Sequence, residues 1–231
     1  ADHYHWDSGE AWTDVRKLGV TPASSRVGGG HAHVGLMIYQ GTNFPPEYRG
    51  QVFTTNLHGR RVNIDRLERR GSGYVGKHAP DFMRTDDPWF RAIEIQAGPD
   101  GGVYILDWSD IGECHENDGV HRTSGRIYKI TYGDPTRPQE TDLTKLTDAQ
   151  LVALQPSDNE WLVRMARWEL RERARRHNGL PAVTQLLRDQ FTTAPTPAKK
   201  LAAYWTLEQI SAFAPDAPAP IAPLLSAMRT S

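Results

Sequence analysis

The chain has 231 residues, and its 27 Lys and Arg residues nearly balance its 28 Asp and Glu residues, which gives a net charge of −1 at pH 7. Such a balance provides no large field that would attract nucleic acid or an anionic membrane surface. The longest apolar stretches, such as residues 34–39, are too short to cross a bilayer, so we expect no membrane span in this chain. The single cysteine, Cys114, excludes an internal disulfide and a covalently attached c-type haem within these residues.

The two parts of the chain differ in composition. Nineteen of the 20 glycines and eight of the nine histidines precede Asp134, whereas 10 of the 16 prolines follow Gly133. We therefore predict a first domain at residues 1–133, a linker at 134–140 and a second domain at 141–231. The chain opens without the basic and apolar leader of an export signal, so we expect no signal peptide here and a longer parent protein of which this chain is a fragment.

The first domain is predicted to consist of antiparallel strands. Short alternating or apolar runs bounded by Gly, Pro and Asp indicate strands, and the Pro-Asp-Gly-Gly sequence at 99–102 indicates a hairpin turn. The predicted strands are 34–39, 51–57, 61–67 and 74–84, followed by 91–96, 103–107 and 126–130. Meanders that repeat at roughly 50 to 60 residues favour a β-propeller fragment of two to three antiparallel four-stranded blades, and closing the ring would take about four to eight blades.

The second domain is predicted to be helical. Two segments have the pattern of a capping box, which marks the start of a helix. They are 147–150 and 157–160. The segment around Trp168 recurs around Trp205, 37 residues later (205 − 168). This spacing is typical of helical-pair repeats of roughly 34 to 47 residues and predicts an all-α, HEAT-like repeat region that is truncated at the end of the chain.

Propeller topology also predicts where polar residues converge. The loop that enters the first strand of a blade and the loop that joins its second and third strands open on one rim, where such folds commonly bind ligands. Polar and aromatic residues concentrate in these loops. The candidates are His31, His33, His58 and Arg60 in the first blade, and Trp89, Arg91, Asp107, Trp108, Asp110, His115, His121 and Arg122 in the second.

Each type of candidate has a functional and a structural interpretation. The histidines could ligate a metal or act as a general base, or they could hydrogen-bond to nearby backbone. The arginines could clamp the carboxylates of a ligand, or they could pair with local Asp residues. The tryptophans could stack on a sugar or a cofactor ring, or they could pack between blades. Asp107 and Asp110 could bind calcium, although the spacing of an EF-hand is absent.

Several of these loops carry motifs that together resemble a known family. The motifs are Gly28-Gly-Gly-His-Ala-His33, Asn56-Leu-His-Gly-Arg-Arg61, Asp87-Pro-Trp-Phe-Arg91, Gly98-Pro-Asp-Gly-Gly-Val-Tyr104 and Asp118-Gly-Val-His-Arg-Thr-Ser-Gly-Arg-Ile-Tyr128. Over residues 1–133 the chain resembles bacterial membrane-bound dehydrogenases. Those proteins join a propeller similar to glucose/sorbosone dehydrogenases to HEAT-like helices and a C-terminal c-type haem domain.

This resemblance implies an exported or periplasmic oxidoreductase. It would pass electrons from a small organic substrate, such as a sugar, to a c-type haem domain elsewhere in the parent chain. The related soluble sugar dehydrogenases use pyrroloquinoline quinone with calcium, and the resemblance implies the same cofactors here. The c-type haem motif itself is absent from this chain.

The leading hypothesis is a quinone-dependent dehydrogenase in which His33 or His58 removes a proton from a substrate hydroxyl as hydride passes to the quinone. Eight residues would then bind the cofactor, and Asp107 and Asp110 would hold the metal. The eight residues are His31, Arg60, Trp89, Arg91, Trp108, His115, His121 and Arg122. The alternative is a non-catalytic propeller that binds a carbohydrate or a metal, with helices that dock another protein. A nucleic-acid site on the face formed by Arg164, Arg167, Arg171 and Arg175 is disfavoured, because glutamates interrupt that face and the net charge is near zero.

Overall fold

The computed structural model describes residues 32–111 and 123–211. The chain divides into two compact units, Ala1–Thr136 and Arg137–Ser231. The boundary between them falls within the predicted linker.

The first sheet is a four-stranded antiparallel meander in the order β1-β2-β3-β4. Its strands are β1 (His33–Ile38), β2 (Val52–Asn56), β3 (Arg61–Arg70) and β4 (Gly73–Arg84). Strand β2 pairs with β3 only as far as Asp65, while β3 and β4 stay paired out to Arg70 and Gly73. A two-stranded ribbon of residues 66–77 therefore extends beyond the sheet, and its residues are solvent-exposed.

The second sheet has three antiparallel strands in the order β5-β6-β7. They are β5 (Ala92–Ala97), β6 (Val103–Asp107) and β7 (Arg126–Ile130). Strands β1 and β2 pack against β5. At the bulge in β1, Gly35 has a φ of +56°, and a Cβ there would lie 2.9 Å from the Cα of Glu94. Only glycine combines this backbone conformation with such a close approach of the two sheets.

One continuous core holds the two sheets together. It contains buried residues from β1 to β6, among them Phe53, Ile64, Ile95 and Ile105. Phe82 packs edge-on against the rings of Phe53 and Phe44, with ring centroids 5.0 and 5.1 Å apart. Such edge-to-face contacts add to the free energy gained by removing the rings from water. The core therefore holds the two sheets in a fixed arrangement, and the loops extend from the ends of their strands.

Tyr39 ties the sheets together through its buried hydroxyl. The hydroxyl donates to the carbonyl of Gly101, in the β5–β6 turn, at 2.8 Å. It accepts from the backbone N–H groups of Asn43 at 3.1 Å and Phe44 at 3.0 Å. Burial raises the pKa of this phenol, so it remains a hydrogen-bond donor throughout the neutral range.

The described part of the second unit, residues 137–211, contains four α-helices with their own core. They are α1 (Asp148–Ala153), α2 (Glu160–His177), α3 (Pro181–Thr193) and α4 (Pro197–Ser211). Their core includes Leu151, Leu170, Leu187 and Leu207, each with none of its surface exposed. Helix α4 packs on both α2 and α3. In the part of the chain that the structure describes, no helix has the length and apolar character that a membrane crossing requires.

One of the two predicted capping boxes is confirmed. Thr147 accepts from the backbone N–H of Gln150, whose side chain accepts from the backbone N–H of Thr147. The second prediction, at 157–160, was wrong by two residues. The N-cap there is Asn159, whose side chain accepts from the N–H of Trp161 at 3.0 Å, and Ser157 instead accepts from the N–H of Asn159. Asn and Ser are equally good N-caps, so the pattern alone did not choose between them.

All seven predicted strands are present; 103–107 and 126–130 have the predicted bounds, and the other five are shifted by one to three residues at one or both ends. The largest shift is in β3, which runs to Arg70 and not to Leu67. Residues 61–64 of β3 are buried, whereas residues 66–70 are exposed, because both faces of the ribbon meet water. Backbone pairing with β4 continues the strand beyond that point.

Candidate functional site

The strand ends that carry the predicted site residues lie at one end of the first unit. In the first sheet this end is marked by the paired residues His33, Asn56, Arg61 and Arg84. In the second sheet it is marked by the paired residues Ala92, Asp107 and Arg126. We call these strand ends, together with residues 57–60, 85–91 and 108–111, the polar rim.

Charged side chains join the two sheets at the polar rim. Asp87 accepts from the backbone N–H of Trp89 at 2.9 Å and from Nη1 of Arg126 at 2.7 Å. The bond from Trp89 and then the pair with Arg126 hold the pKa of Asp87 below its ordinary value, and the charge of Arg60 acts in the same direction. Arg60 belongs to the β2–β3 turn, whereas Asp87 precedes β5. The backbone N–H of Thr85 donates to the carbonyl of Arg60 at 3.1 Å, so the β2–β3 turn and the segment before β5 lie side by side.

Asp107 lies beneath this surface with its side chain fully buried. Its Oδ1 accepts from the backbone N–H groups of Arg91 at 2.7 Å and Ser109 at 3.0 Å. Its Oδ2 accepts from Nε of Arg126 at 2.6 Å. Donors from the chain itself therefore engage both oxygens of this carboxylate.

Arg91 is also buried, with 7% of its surface exposed. Its guanidinium donates to the backbone carbonyls of Pro88 and Phe90, at 3.0 and 2.9 Å, and to that of Ile111 at 3.1 Å. It thereby links the segment that enters β5 to the segment that leaves β6. In the structure Arg91 therefore holds these two loop segments together through buried hydrogen bonds.

A second polar network runs beneath the first sheet's part of the rim. Arg61 is fully buried, and its guanidinium donates to the carbonyl of Gly59 and to Asp81, at 3.2 and 3.1 Å. Burial lowers the pKa of Arg61, and the charge of Asp81 opposes that shift. Asp81 also accepts from the side-chain amide of Asn63 at 2.9 Å. This buried ion pair is satisfied by hydrogen bonds, as such pairs must be to be tolerated in a protein interior.

The same network reaches the surface at His33. The Asn63 side chain accepts from Nδ2 of Asn56 at 3.1 Å, and the same Nδ2 lies 3.2 Å from Nε2 of His33. His33 is solvent-exposed, while Asn56 and Asn63 are buried. A chain of polar groups therefore connects an exposed imidazole to a buried aspartate.

The remaining predicted residues within the described ranges occupy different depths. His58, in the β2–β3 turn, is 5% exposed, and Asp110 is 8% exposed. Trp108 is 57% exposed, so it does not pack in the core between the sheets, and Trp89 is half-buried. Arg60 is half-buried and has a φ of +50°. Four other predicted residues lie outside the described residues. They are His31, His115, His121 and Arg122.

The donor set does not fit the predicted calcium site. Asp107 is committed to Arg126 and to two backbone N–H groups. Within residues 32–111 and 123–211, no group of three or more His, Cys, Asp or Glu side chains is arranged to hold a metal ion. Arg91, which was predicted to bind the quinone, and its neighbour at the rim, Arg126, already donate to groups of the chain.

Three residues of the polar networks cannot be recognised from local sequence patterns, because they look like ordinary strand positions. They are Asn63, Asp81 and Arg126. Asn63 and Asp81 are 18 residues apart, and Arg126 is 39 residues from Asp87, so no local pattern joins the partners. One signal was available for Arg126. It begins a strand that the predicted meander places beside 103–107, so its side chain could be expected near Asp107.

Comparison with known proteins gives one family. The model of a family described as a domain of unknown function, DUF7133, matches residues 11–134, which include the whole polar rim. No curated protein and no solved structure matched the chain.

Proposed function

The chain belongs to the DUF7133 family, and from this premise we propose that its first unit is part of a β-propeller oxidoreductase whose polar rim binds a small hydroxylated substrate such as a sugar. In this proposal the electrons pass to a c-type haem domain elsewhere in the parent protein, which works outside the cytoplasm. The resemblance of the rim motifs to dehydrogenases supports the proposed reaction class.

The arrangement of the sheets supports the propeller part of the proposal. Two consecutive antiparallel meanders, one of four strands and one of three, pack through β1, β2 and β5. Neighbouring propeller blades have the same arrangement, with each sheet packed against the next. The packing of helix α4 on both α2 and α3 in the second unit is in keeping with HEAT-like repeats, which commonly dock other proteins.

One observation carries the proposed binding role. The ends of both sheets meet at one surface, and buried networks hold its side chains in fixed positions from below. His33 is exposed there and is held by Asn56, and the exposed Trp108 follows β6 at the same end. An ordered imidazole and an exposed indole on the same rim suit a sugar, because its hydroxyls need hydrogen-bond partners and its ring faces stack on aromatic rings.

A specific observation favours a second function, that of a non-catalytic carbohydrate-binding propeller. The carboxylate of Asp107 and the guanidinium groups of Arg91 and Arg126 are engaged by groups of the chain itself. These residues stabilise the loops of the rim and leave the chemistry to other groups. The helical unit would then serve to dock a partner protein.

One set of measurements separates the two functions. A panel of sugars and polyols is tested for binding by saturation-transfer NMR. Dye-linked oxidation of the same panel is measured with and without pyrroloquinoline quinone and calcium, using the protein as it occurs in the cell. We expect at least one compound to bind and to be oxidised, and we expect His33→Ala to weaken its binding. His177→Ala, which changes an exposed histidine of the helical unit, is the matched control and should have no effect.

The outcomes distinguish the two proposals clearly. Binding together with turnover supports the oxidoreductase. Binding without turnover supports the carbohydrate-binding propeller. If no compound binds, or if His33→Ala and His177→Ala behave alike, the polar rim is not the ligand site.

A further inference from the structure

The orientation of the Asn56 side chain is fixed by a backbone group. The N–H of Gly59 lies 2.8 Å from Oδ1 of Asn56, and an amide N–H can only donate. The oxygen of the Asn56 carboxamide must therefore face Gly59, and its NH2 group must face the other way. This assignment does not depend on any choice of protonation state.

A second anchor gives the same orientation independently. Asp81 forms an ion pair with the guanidinium of Arg61, and the carboxylate of an ion pair only accepts hydrogen bonds. Asn63 must therefore turn its NH2 group towards Asp81 and its oxygen towards Asn56. That oxygen needs a donor, and Nδ2 of Asn56 supplies it. Both anchors thus point the NH2 group of Asn56 into the network.

The NH2 group of Asn56 has two hydrogens, and the second faces His33. Nδ2 of Asn56 lies 3.2 Å from Nε2 of His33. A protonated Nε2 would put two N–H donors face to face, which is unfavourable, whereas an unprotonated Nε2 accepts the hydrogen bond. The lone pair of Nε2 is therefore used within the protein.

We propose that the Asn56–Asn63–Asp81 chain holds His33 as the neutral tautomer with its proton on Nδ1, so that His33 serves the rim ligand as a hydrogen-bond donor and not as a base. The inference rests on the proposed function for the presence of a ligand at the rim. It names the chemistry that His33 recognises, namely an acceptor oxygen such as a carbonyl, a carboxylate or a hydroxyl lone pair. A neutral imidazole with its only lone pair engaged does not take a proton from a substrate hydroxyl.

The tautomer can be measured without any ligand. Two-bond 1H–15N correlation spectra of the 15N-histidine-labelled protein, recorded at about pH 8, where imidazole is ordinarily neutral, distinguish protonated from unprotonated ring nitrogens. The signal of His33 is identified by its loss in His33→Ala. We expect a protonated Nδ1 and an unprotonated Nε2. The opposite pattern would overturn the proposal.

Asn56→Asp tests whether the network sets the tautomer. A carboxylate at position 56 keeps an acceptor for the N–H of Gly59 but turns an oxygen towards Nε2 of His33. We expect the proton to move to Nε2 or the ring to become doubly protonated. If this variant folds, as judged by an unchanged circular dichroism spectrum, and the His33 pattern is unchanged, the network does not control His33. If the variant does not fold, the wild-type spectrum still decides the tautomer.

Ligand binding tests the donor role separately. An asparagine at position 33 can place an N–H near the position of Nδ1, whereas alanine cannot. For a sugar that binds the wild type, we expect His33→Ala to weaken the affinity about five- to tenfold, the loss of one hydrogen bond, and His33→Asn to restore most of it. Equal losses in the two variants would overturn the donor role. If no sugar binds the wild type, the proposed function is wrong. The tautomer assignment is then decided by the NMR spectra alone.

Discussion

Asp107 shows how the chemical meaning of a residue depends on partners that are far away in the sequence. As a lone acid at the end of a strand, it was a candidate calcium ligand. In the fold its carboxylate is fully buried and accepts from Arg91, Ser109 and Arg126. The sequence correctly indicated that the position is polar and lies at the rim. It could not indicate the role, because the partner Arg126 is 19 residues away across a loop.

Asp107→Asn should destabilise the first unit by about 2 kcal/mol, because the amide cannot balance the charge of Arg126 and turns a donor towards other donors. The measurement is urea unfolding followed by near-UV circular dichroism. Glu68→Gln is the control. It removes a surface pair with Lys77 in which both side chains are more than half exposed, and it should cost less than about 0.5 kcal/mol. Equal losses would show that Asp107 is not a structural anchor.

Asp100 makes stability depend on acid pH. Burial alone would raise the pKa of Asp100, but hydrogen bonds from Lys129 and from the N–H of Gly102 outweigh it and lower the pKa in the folded state. A folded-state pKa below the unfolded value of about 3.9 gives a stabilisation that is present above that pH and is lost as the pH falls through the folded-state pKa.

Asp100→Asn should therefore flatten the decrease in the unfolding free energy between about pH 5 and pH 3. The variant should be less stable than the wild type at pH 7, and the two should converge in acid. Thermal unfolding at a series of pH values measures this. Asp134→Asn, at an exposed position, should follow the wild-type profile. A constant difference between Asp100→Asn and the wild type at all pH values would contradict the linkage.

At the level of elements, the β2–β3 turn depends on one glycine for a reason of space. A Cβ on Gly59 would lie 2.5 Å from Oδ1 of Asn56, closer than real contacts allow. The backbone of Gly59 has an ordinary φ, so contact and not conformation excludes a side chain here. The backbone of the turn therefore packs directly against the Asn56 side chain, and the position of each depends on the other.

Gly59→Ala should cost about 1 to 3 kcal/mol, because the methyl group must displace the buried Asn56 side chain. It should also disturb the His33 ring, whose two-bond 1H–15N pattern provides a second readout. Gly76→Ala is the matched control, since a Cβ there meets nothing within 4 Å. Its unfolding free energy should stay within about 0.5 kcal/mol of the wild type. A Gly59→Ala variant as stable as Gly76→Ala would show that the turn can adapt.

The elements themselves were largely accessible from the sequence. The strands carry alternating patterns, and the Thr147 capping box is complete within four residues, so both are local signals. The second helix start was misplaced because Ser157 and Asn159 compete as caps within three residues. The polar networks were not accessible, because each of them joins three or more strands or turns. The secondary structure is thus predictable from this sequence, whereas the hydrogen-bond networks of the site are not.

At the level of the whole molecule, each unit has a core drawn from its own residues. Among the described residues of the helical unit, twelve buried residues between Leu143 and Ile210 form one core. A unit that buries its own apolar face can fold as an independent domain. The composition of the sequence indicated this division, since glycine and histidine nearly vanish after Gly133.

Residues 137–231 expressed alone should give a helical far-UV circular dichroism spectrum and a single cooperative thermal transition. Leu187→Ala, which empties space in the centre of that core, should lower the stability of the isolated unit by about 2 to 5 kcal/mol. Leu186→Ala is the control, because Leu186 is 42% exposed and should matter much less. A gradual transition in the isolated unit would mean that the helices need the rest of the chain to fold.

The ribbon of residues 66–77 leaves the first sheet at the end opposite the polar rim. A Cβ on Gly71, at its tip, would meet nothing within 4 Å. A fluorophore or a purification tag introduced at this tip would therefore stand clear of both the core of the two sheets and the polar rim. This gives an attachment point for immobilising the protein on a sensor chip with its polar rim facing the solution.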